Sequence, residues 1–373
     1  MRRKTVKINT IKVGSLGEYT DAIAEIAREY SRYSWKTNPP VLWFRGQNKG
    51  TYSLLPSLYR NGLQPEQTSG EKEYTQLHYA EDIRIQHYMA KNFHLLRSQP
   101  SAKIEWLEVM QHHGIKTRLL DWSESAIHSL LFALECFFDG KAYSAEFRRQ
   151  SMPCVWVLNP GRLNKMIFEE IRDEVTVKDN TSDIAAGCTG VRDTSLRGQM
   201  IKQYGSMETD VTEWFTKYGR FEEYMETKGT QHIDYIVNLS KLNEAVLREG
   251  EGVNPYYYAI YKIYSDGILV NERKLPPLAI VNAYHSERIR AQKGVFTVYP
   301  YYQDHQSDQE VRKIGINPDA MEHNEIAQKC LSRISLYSPQ KIAYELMAAG
   351  INTSWLYPEM PIIANEIENR KVF

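Results

Sequence analysis

At 373 residues, 42% of them hydrophobic, the chain is long enough for one large core or two ordinary ones and reads as a globular protein. Lysine plus arginine equals aspartate plus glutamate at 46 each, so no global field draws it to nucleic acid or to a membrane surface, and any polyanion site must be local. The four cysteines, Cys136, Cys154, Cys188 and Cys330, form no CxxC pair and read as reduced, packed thiols of a cytoplasmic protein.

The opening MRRKTVKINTIKVGSLGEY has the basic residues of a signal peptide without the apolar stretch that should follow. Nor does any run approach the roughly 18 to 20 apolar residues of a membrane span. Thr5 to Val13 alternates enough for an edge strand, and Ser15 with Glu18 makes a capping box for a helix to about Ser34. Asn38, Pro39 and Pro40 end that helix and launch the run Val41 to Gln47, VLWFRGQ, which suits a buried strand.

Arg45 and Gly46 interrupt this strand at its end. A buried arginine must be paired. Its planar fork can hold a carboxylate or phosphate by two parallel bonds, and the glycine lets a ligand or another backbone come close. An internal ion pair with an aspartate serves Arg45 equally well. The following LLPSLYR reads as irregular backbone over the strand end, with Tyr52, Tyr59 and Arg60 as candidate contacts.

Residues 70 to 97 read as a long helix whose His78, His87 and His94 lack the HExxH pattern of a metal site, and no metal is expected. A second helix, Ile104 to His112, stops at Gly114. Thr117 to Trp122 has strand character and leads through Ser123 or Ser125 into an apolar helix, Ala126 to Phe138. Alternation puts Thr117, Leu119 and Asp121 on one face and Arg118 and Leu120 on the other. Asp121 can pair with Arg45 from a neighbouring strand, fix a ribose hydroxyl, or simply cap a helix.

Pro153 to Pro160 is another buried strand, and residues 161 to 275 loosen into an insertion expected to be largely helical. Leu278 to Val281 and Val295 to Tyr299 read as strands joined by a short bridge, Ser286 to Lys293, that ends at Gly294. Arg288, Arg290 and Lys293 concentrate positive charge there beside Gln292, the one place to look for a polyanion or acceptor contact. Cys330 to Tyr337 is a strand, and Ser338 is expected to cap a helix that stops at Gly350.

The segments LWFRGQ (42–47), LLPSLYR (54–60), QHHGIKTRLLDWSESAIHSLLFA (111–133), RIRAQKGVFTVYP (288–300) and GINTSWLYPEM (350–360), taken in order, resemble the FRG domain family. The resemblance covers most of residues 35–160 and 275–365. Its layout is similar to the three motifs of ADP-ribosyltransferases. That likeness implies an α+β protein with a mixed or antiparallel split β-sheet surrounded by helices. Its parts would be an N-terminal part at 1–160, the insertion at 161–275 and a C-terminal part at 276–373.

The likeness also implies NAD as substrate, with Arg45, Gly46, Tyr52, Tyr59, Thr117, Arg118 and Trp122 as its contacts and Arg45, Asp121 and Gln292 as catalytic residues. Gln292 falls where that fold usually has glutamate. Breaking the nicotinamide bond develops oxocarbenium character on the ribose, and a glutamine can accept a hydrogen bond from its 2-hydroxyl but supplies no charge. Either Asp121 or Glu287 supplies it, or the acceptor is already a good nucleophile, or NAD binds without efficient turnover. The expectation is transfer to RNA, DNA or protein, nucleic acid ahead of protein, by a bacterial toxin or phage-defence effector with a neutralising antitoxin partner. The alternative is a non-catalytic module that binds a nucleotide or a partner protein in the same pocket. A hydrolase using Asp121 with His112 or His113 is a third reading, without a GxSxG motif to support it.

Overall fold

The computed structural model describes residues 8–31, 39–60, 72–95, 100, 103–138, 152–176, 236–238, 260, 263–265, 275–281, 287–300, 320–357, 359–360, 364 and 367–368, with backbone alone at 72–80, 93, 171–176 and 238. Among these residues eight strands form one sheet: β1 (Asn9–Val13), β2 (Trp43–Gln47), β3 (Leu119–Ser123), β4 (Cys154–Leu158), β5 (Val237–Asn238), β6 (Leu278–Val281), β7 (Gly294–Val298) and β8 (Leu331–Leu336). Their order across the sheet is β1-β8-β4-β2-β3-β7-β6-β5. The two outermost pairs, β1 with β8 and β5 with β6, are parallel and the rest antiparallel, so the sheet is mixed and the protein is α+β.

Helices cover both faces, as a sheet with apolar residues on both sides requires. On one face α1 (Leu16–Tyr30) packs with Phe44, Val155, Val157 and Ile334. Two later helices, Ala126–Phe138 and Pro339–Ala348, share that cluster through Leu130, Leu134, Ile342 and Leu346. The chain then passes through α2 (Ser57–Arg60) and α3 (Lys72–Asn92) to α4 (Lys103–His112). On the other face α4 buries Ile104, Trp106, Leu107 and Met110 in a cluster with Trp43, Trp122 and Trp156. Of the later helices, Ala126–Phe138 is α5, Pro160–Thr176 is α6, Glu287–Ala291 is α7 and Pro339–Ala348 is α8.

Several ends fall where local chemistry places them. The Ser15 hydroxyl accepts from the Glu18 amide at 3.2 Å, while the Glu18 carboxylate accepts from Gly14 N–H at 2.7 Å and so reaches one residue further back than a reciprocal capping box. Helix α1 ends at Tyr30, earlier than the expected Ser34, and residues 32–38, with the prolonged end expected there, lie outside the described residues. Ser338 makes no side-chain cap to α8; Pro339 opens that helix with its preset φ. The bridge before β7 turns through Lys293, at φ 48°, rather than through Gly294.

Most of the expected helical insertion, and Cys188 within it, lies outside the described residues. What is described of it belongs to the main body. Helix α6 buries Leu163 and Ile167, and its Asn164 side chain exchanges two hydrogen bonds with the backbone of Ala279 on β6, at 2.8 and 2.9 Å. Val237–Asn238 extends the sheet as an edge strand. Cys154 and Cys330 are buried free thiols, and burial pushes the Cys330 thiol up to about 12.

Candidate functional site at the split in the sheet

β2 joins β4 through five residue pairs, and β3 joins β7 through five, but β2 and β3 share only one, Phe44 with Ser123. Beyond that pair the two central strands part, and backbone groups along the seam need other partners. The Arg45 side chain supplies one: its Nη1 donates to the Asp121 carbonyl at 2.5 Å and stands 3.7 Å from Asp121 Oδ2. The expected Arg45–Asp121 pairing is therefore present, with a guanidinium standing in for a ladder N–H. Its Nε is buried with no hydrogen-bond partner among the described residues. Burial lowers the Arg45 pKa, and the nearby Asp121 charge opposes that shift.

A cavity of about 480 Å³ opens at this seam, within the range of small-molecule sites. Arg45, Asp121 and Gln292 all line it, on β2, on β3 and in the turn ahead of β7. Trp122 forms part of the wall, its indole donating to Thr297 Oγ1 at 3.1 Å. The Gln292 Nε2 donates to the Leu356 carbonyl at 2.9 Å, which turns the amide oxygen to the opposite side. Ser123 Oγ donates to the Gln292 carbonyl at 2.7 Å and accepts from Ser125 N–H at 3.0 Å, tying the second motif to the third. Ser125 is the serine that caps α5, through His128 N–H at 3.3 Å.

Other expected contacts resolve differently. Arg118 is fully buried and does not line the cavity: its Nε pairs with Glu81 Oε2 at 2.8 Å and its Nη1 donates to the carbonyls of Tyr264 and Tyr299 at 2.5 and 2.7 Å. It ties α3, β3 and the insertion together. Thr117 is also fully buried, behind Asp121 rather than against a ligand. Tyr59 packs on the Tyr299 ring at 6.0 Å and is not part of the wall. Gly46 lines the cavity, yet a Cβ there would meet the Ser129 carbonyl at 1.8 Å, so the backbone that comes close is that of α5.

Tyr52, half exposed, stands at the cavity with Lys49 Nζ 5.8 Å from its ring centre. The loop that carries it is held by Arg333, which donates to the Gly50 carbonyl at 2.7 Å and lies over Trp156 at 5.3 Å. Of the basic cluster only Arg288 lines the cavity, stacked on Tyr357 at 4.6 Å; Arg290 and Lys293 are exposed outside it, and so is Glu287.

The wall also contains α4 residues that the sequence did not single out as ligand contacts: buried Glu108, and Gln111 three residues on, beside His112. Their signal was in the run IEWLEVM, where Glu105 and Glu108 sit among residues that are all buried. A buried carboxylate in such a helix needs a polar environment. Burial and the neighbouring His113 and Arg288 charges lower the His112 pKa. Among the described residues no group of three His, Cys, Asp or Glu side chains could hold a metal, and no helix is long and apolar enough to cross a membrane.

Fold and site together define an α+β protein whose mixed sheet parts at its centre around an arginine–aspartate pair. Residues 41–140, from β2 past α5, match the FRG domain model. No curated protein and no solved structure matches the chain.

Proposed function

We propose that the cavity binds NAD and that the protein transfers its ADP-ribose to a macromolecule, with nucleic acid preferred over protein. The observation that carries this reading is the meeting of Arg45, Asp121 and Gln292 from three successive parts of the sheet in one cavity. Arg45, with its Nη1 spent on Asp121 and a buried, unpartnered Nε among the described residues, is suited to a diphosphate. The amide oxygen of Gln292 is suited to accept from a ribose hydroxyl. Glu287 lies outside the wall, and Asp121 within it is the carboxylate assigned to face the positive charge that develops on the ribose.

In the proposed reaction the bond between ribose C1′ and nicotinamide breaks, both electrons leaving with nicotinamide. The acceptor nucleophile bonds to C1′ and releases its proton to water or to a cavity carboxylate. Tyr52 with Lys49, and the Arg288, Arg290 and Lys293 turn, give the surroundings of the cavity aromatic and basic groups of the kind that hold a nucleic-acid strand. Such an activity inside a cell would make the protein a toxin or phage-defence effector and call for a neutralising partner.

The neutral Gln292 favours a second reading, a module that binds a nucleotide without turnover. Nicotinamide release from NAD, measured with total RNA, DNA or lysate protein beside Arg45→Ala and Gln292→Ala, separates the two. Release that depends on Arg45, with label entering one fraction, supports the transferase and identifies its acceptor class. NAD-induced thermal stabilisation with no release in any fraction supports the binding module. Neither release nor stabilisation removes both.

A further inference from the structure

Asp121 sits at the end of a hydrogen-bond chain whose direction its carboxylate fixes, because a carboxylate can only accept. The backbone N–H of Leu119 can only donate, and it donates to Thr117 Oγ1 at 3.3 Å. The Thr117 hydroxyl in turn donates to Gln111 Oε1. With its oxygen so engaged, Gln111 turns its Nε2 to Asp121 Oδ1, at 2.5 Å. On the far side Arg45 Nη1 faces Oδ2. The carboxylate requires the Nε2 side of the Gln111 amide, and the Thr117 hydroxyl, donating to Oε1, holds the amide that way round.

A side chain that is 59% exposed gains little stability from this apparatus, because water would satisfy it as well. What the chain supplies is direction. Thr117 is fully buried, Gln111 lines the cavity on α4, and the pair lets the rigid α4–β3 packing set the Asp121 carboxylate.

We propose that Gln111, with its amide held in place by Thr117, is the positioning residue that fixes the direction of the Asp121 carboxylate in the cavity; its catalytic consequence rests on the transferase reading above. Neither residue needs to touch the substrate for this role. Thr117, expected from the sequence as an NAD contact, acts two hydrogen bonds removed from the Asp121 carboxylate.

The test has a spectroscopic arm and a kinetic arm. In the side-chain amide spectrum of the full chain, the Gln111 Nε2 protons carry the downfield shift of a bond to a carboxylate. Asp121→Asn abolishes that shift, Thr117→Val reduces it by loosening the Gln111 amide, and Thr117→Ser, which keeps the hydroxyl, retains it. In nicotinamide release, Gln111→Leu lowers kcat about tenfold with KM nearly unchanged, Thr117→Val lowers it less, and the double variant equals Gln111→Leu alone. Thr117→Ser restores most of the rate.

A Gln111 amide that does not respond to Asp121→Asn or Thr117→Val, or single effects that simply multiply in the double variant, would overturn the relay. A wild-type protein that releases no nicotinamide removes the transferase reading instead, and the spectrum still decides whether the relay exists.

Discussion

Arg45 and Arg118 flank the same seam, both were expected to meet a ligand, and only Arg45 lines the cavity. Arg118 has its Nε on the Glu81 carboxylate and its Nη1 on two carbonyls, with both ionic partners fully buried. Arg45 has its Nη1 alone engaged, a side chain 16% exposed to a cavity, and a buried Nε without a partner among the described residues. The difference lies in what each guanidinium is surrounded by. A fully buried guanidinium clamped on a buried carboxylate and two carbonyls is structure, and one that lines an open volume is placed where a ligand could reach it.

Breaking the pair at Arg118 gives the largest effect on stability. Arg118→Met or Glu81→Gln leaves the other partner buried without its counter-charge and is expected to cost about 3–5 kcal/mol, read as a collapse of the denaturation midpoint. If either variant unfolds at the wild-type midpoint, Arg118 is not the bolt described. Arg45→Ala sharpens the contrast from the other side. It is expected to change stability by about 1 kcal/mol, yet to lose NAD-induced stabilisation and to lower nicotinamide release about 100-fold, roughly 2.7 kcal/mol of transition-state binding. A variant that unfolds instead would make Arg45 a second bolt.

Gly46 tests whether the seam is held open by helix packing. A Cβ there lies 1.8 Å from the Ser129 carbonyl, so Gly46→Ala must push α5 away from β2. The expected cost is about 1–3 kcal/mol by thermal unfolding, with weakened NAD binding because Ser129 and Phe132 of α5 also line the cavity. Normal stability with weakened binding would return Gly46 to the ligand-approach role read from the sequence.

The parts legible in the sequence are those with a local signal. Helix α5 runs over Ala126–Phe138 as expected because an apolar run follows directly on the capping Ser125. β6 keeps its expected Leu278–Val281, and the Arg45–Asp121 pairing follows from two residues of opposite charge on neighbouring strands, although each sits in mid-strand and β2 runs through Arg45 and Gly46 without interruption. What could not be read depends on distant partners. Glu81 lies 37 positions before Arg118, on helix α3, and nothing in TRLLDW distinguishes a structural arginine from a ligand contact. The single-pair seam between β2 and β3 is a matter of register, which alternation alone does not specify. Glu108 and Gln111 were hidden for the opposite reason: a helix containing them still reads as an ordinary buried helix until the sheet shows which side is open.

Arg288 extends the comparison to a third arginine, held in the cavity wall by stacking on Tyr357. Its charge is felt by His112, whose pKa is lowered first by burial, then by His113 and Arg288, with Glu359 opposing. For a histidine depressed in the folded state, folding favours the neutral ring. Its contribution to stability is therefore present above the ordinary histidine value of about 6.5 and is lost as pH falls from there toward the folded value. Arg288→Gln is expected to raise the His112 titration midpoint without returning it to the ordinary value, because burial, the first cause, remains. An imidazole NMR titration of the two proteins reads this directly. A midpoint unmoved by Arg288→Gln would mean that the positive charge on α7 and the histidine on α4 do not face each other across the wall.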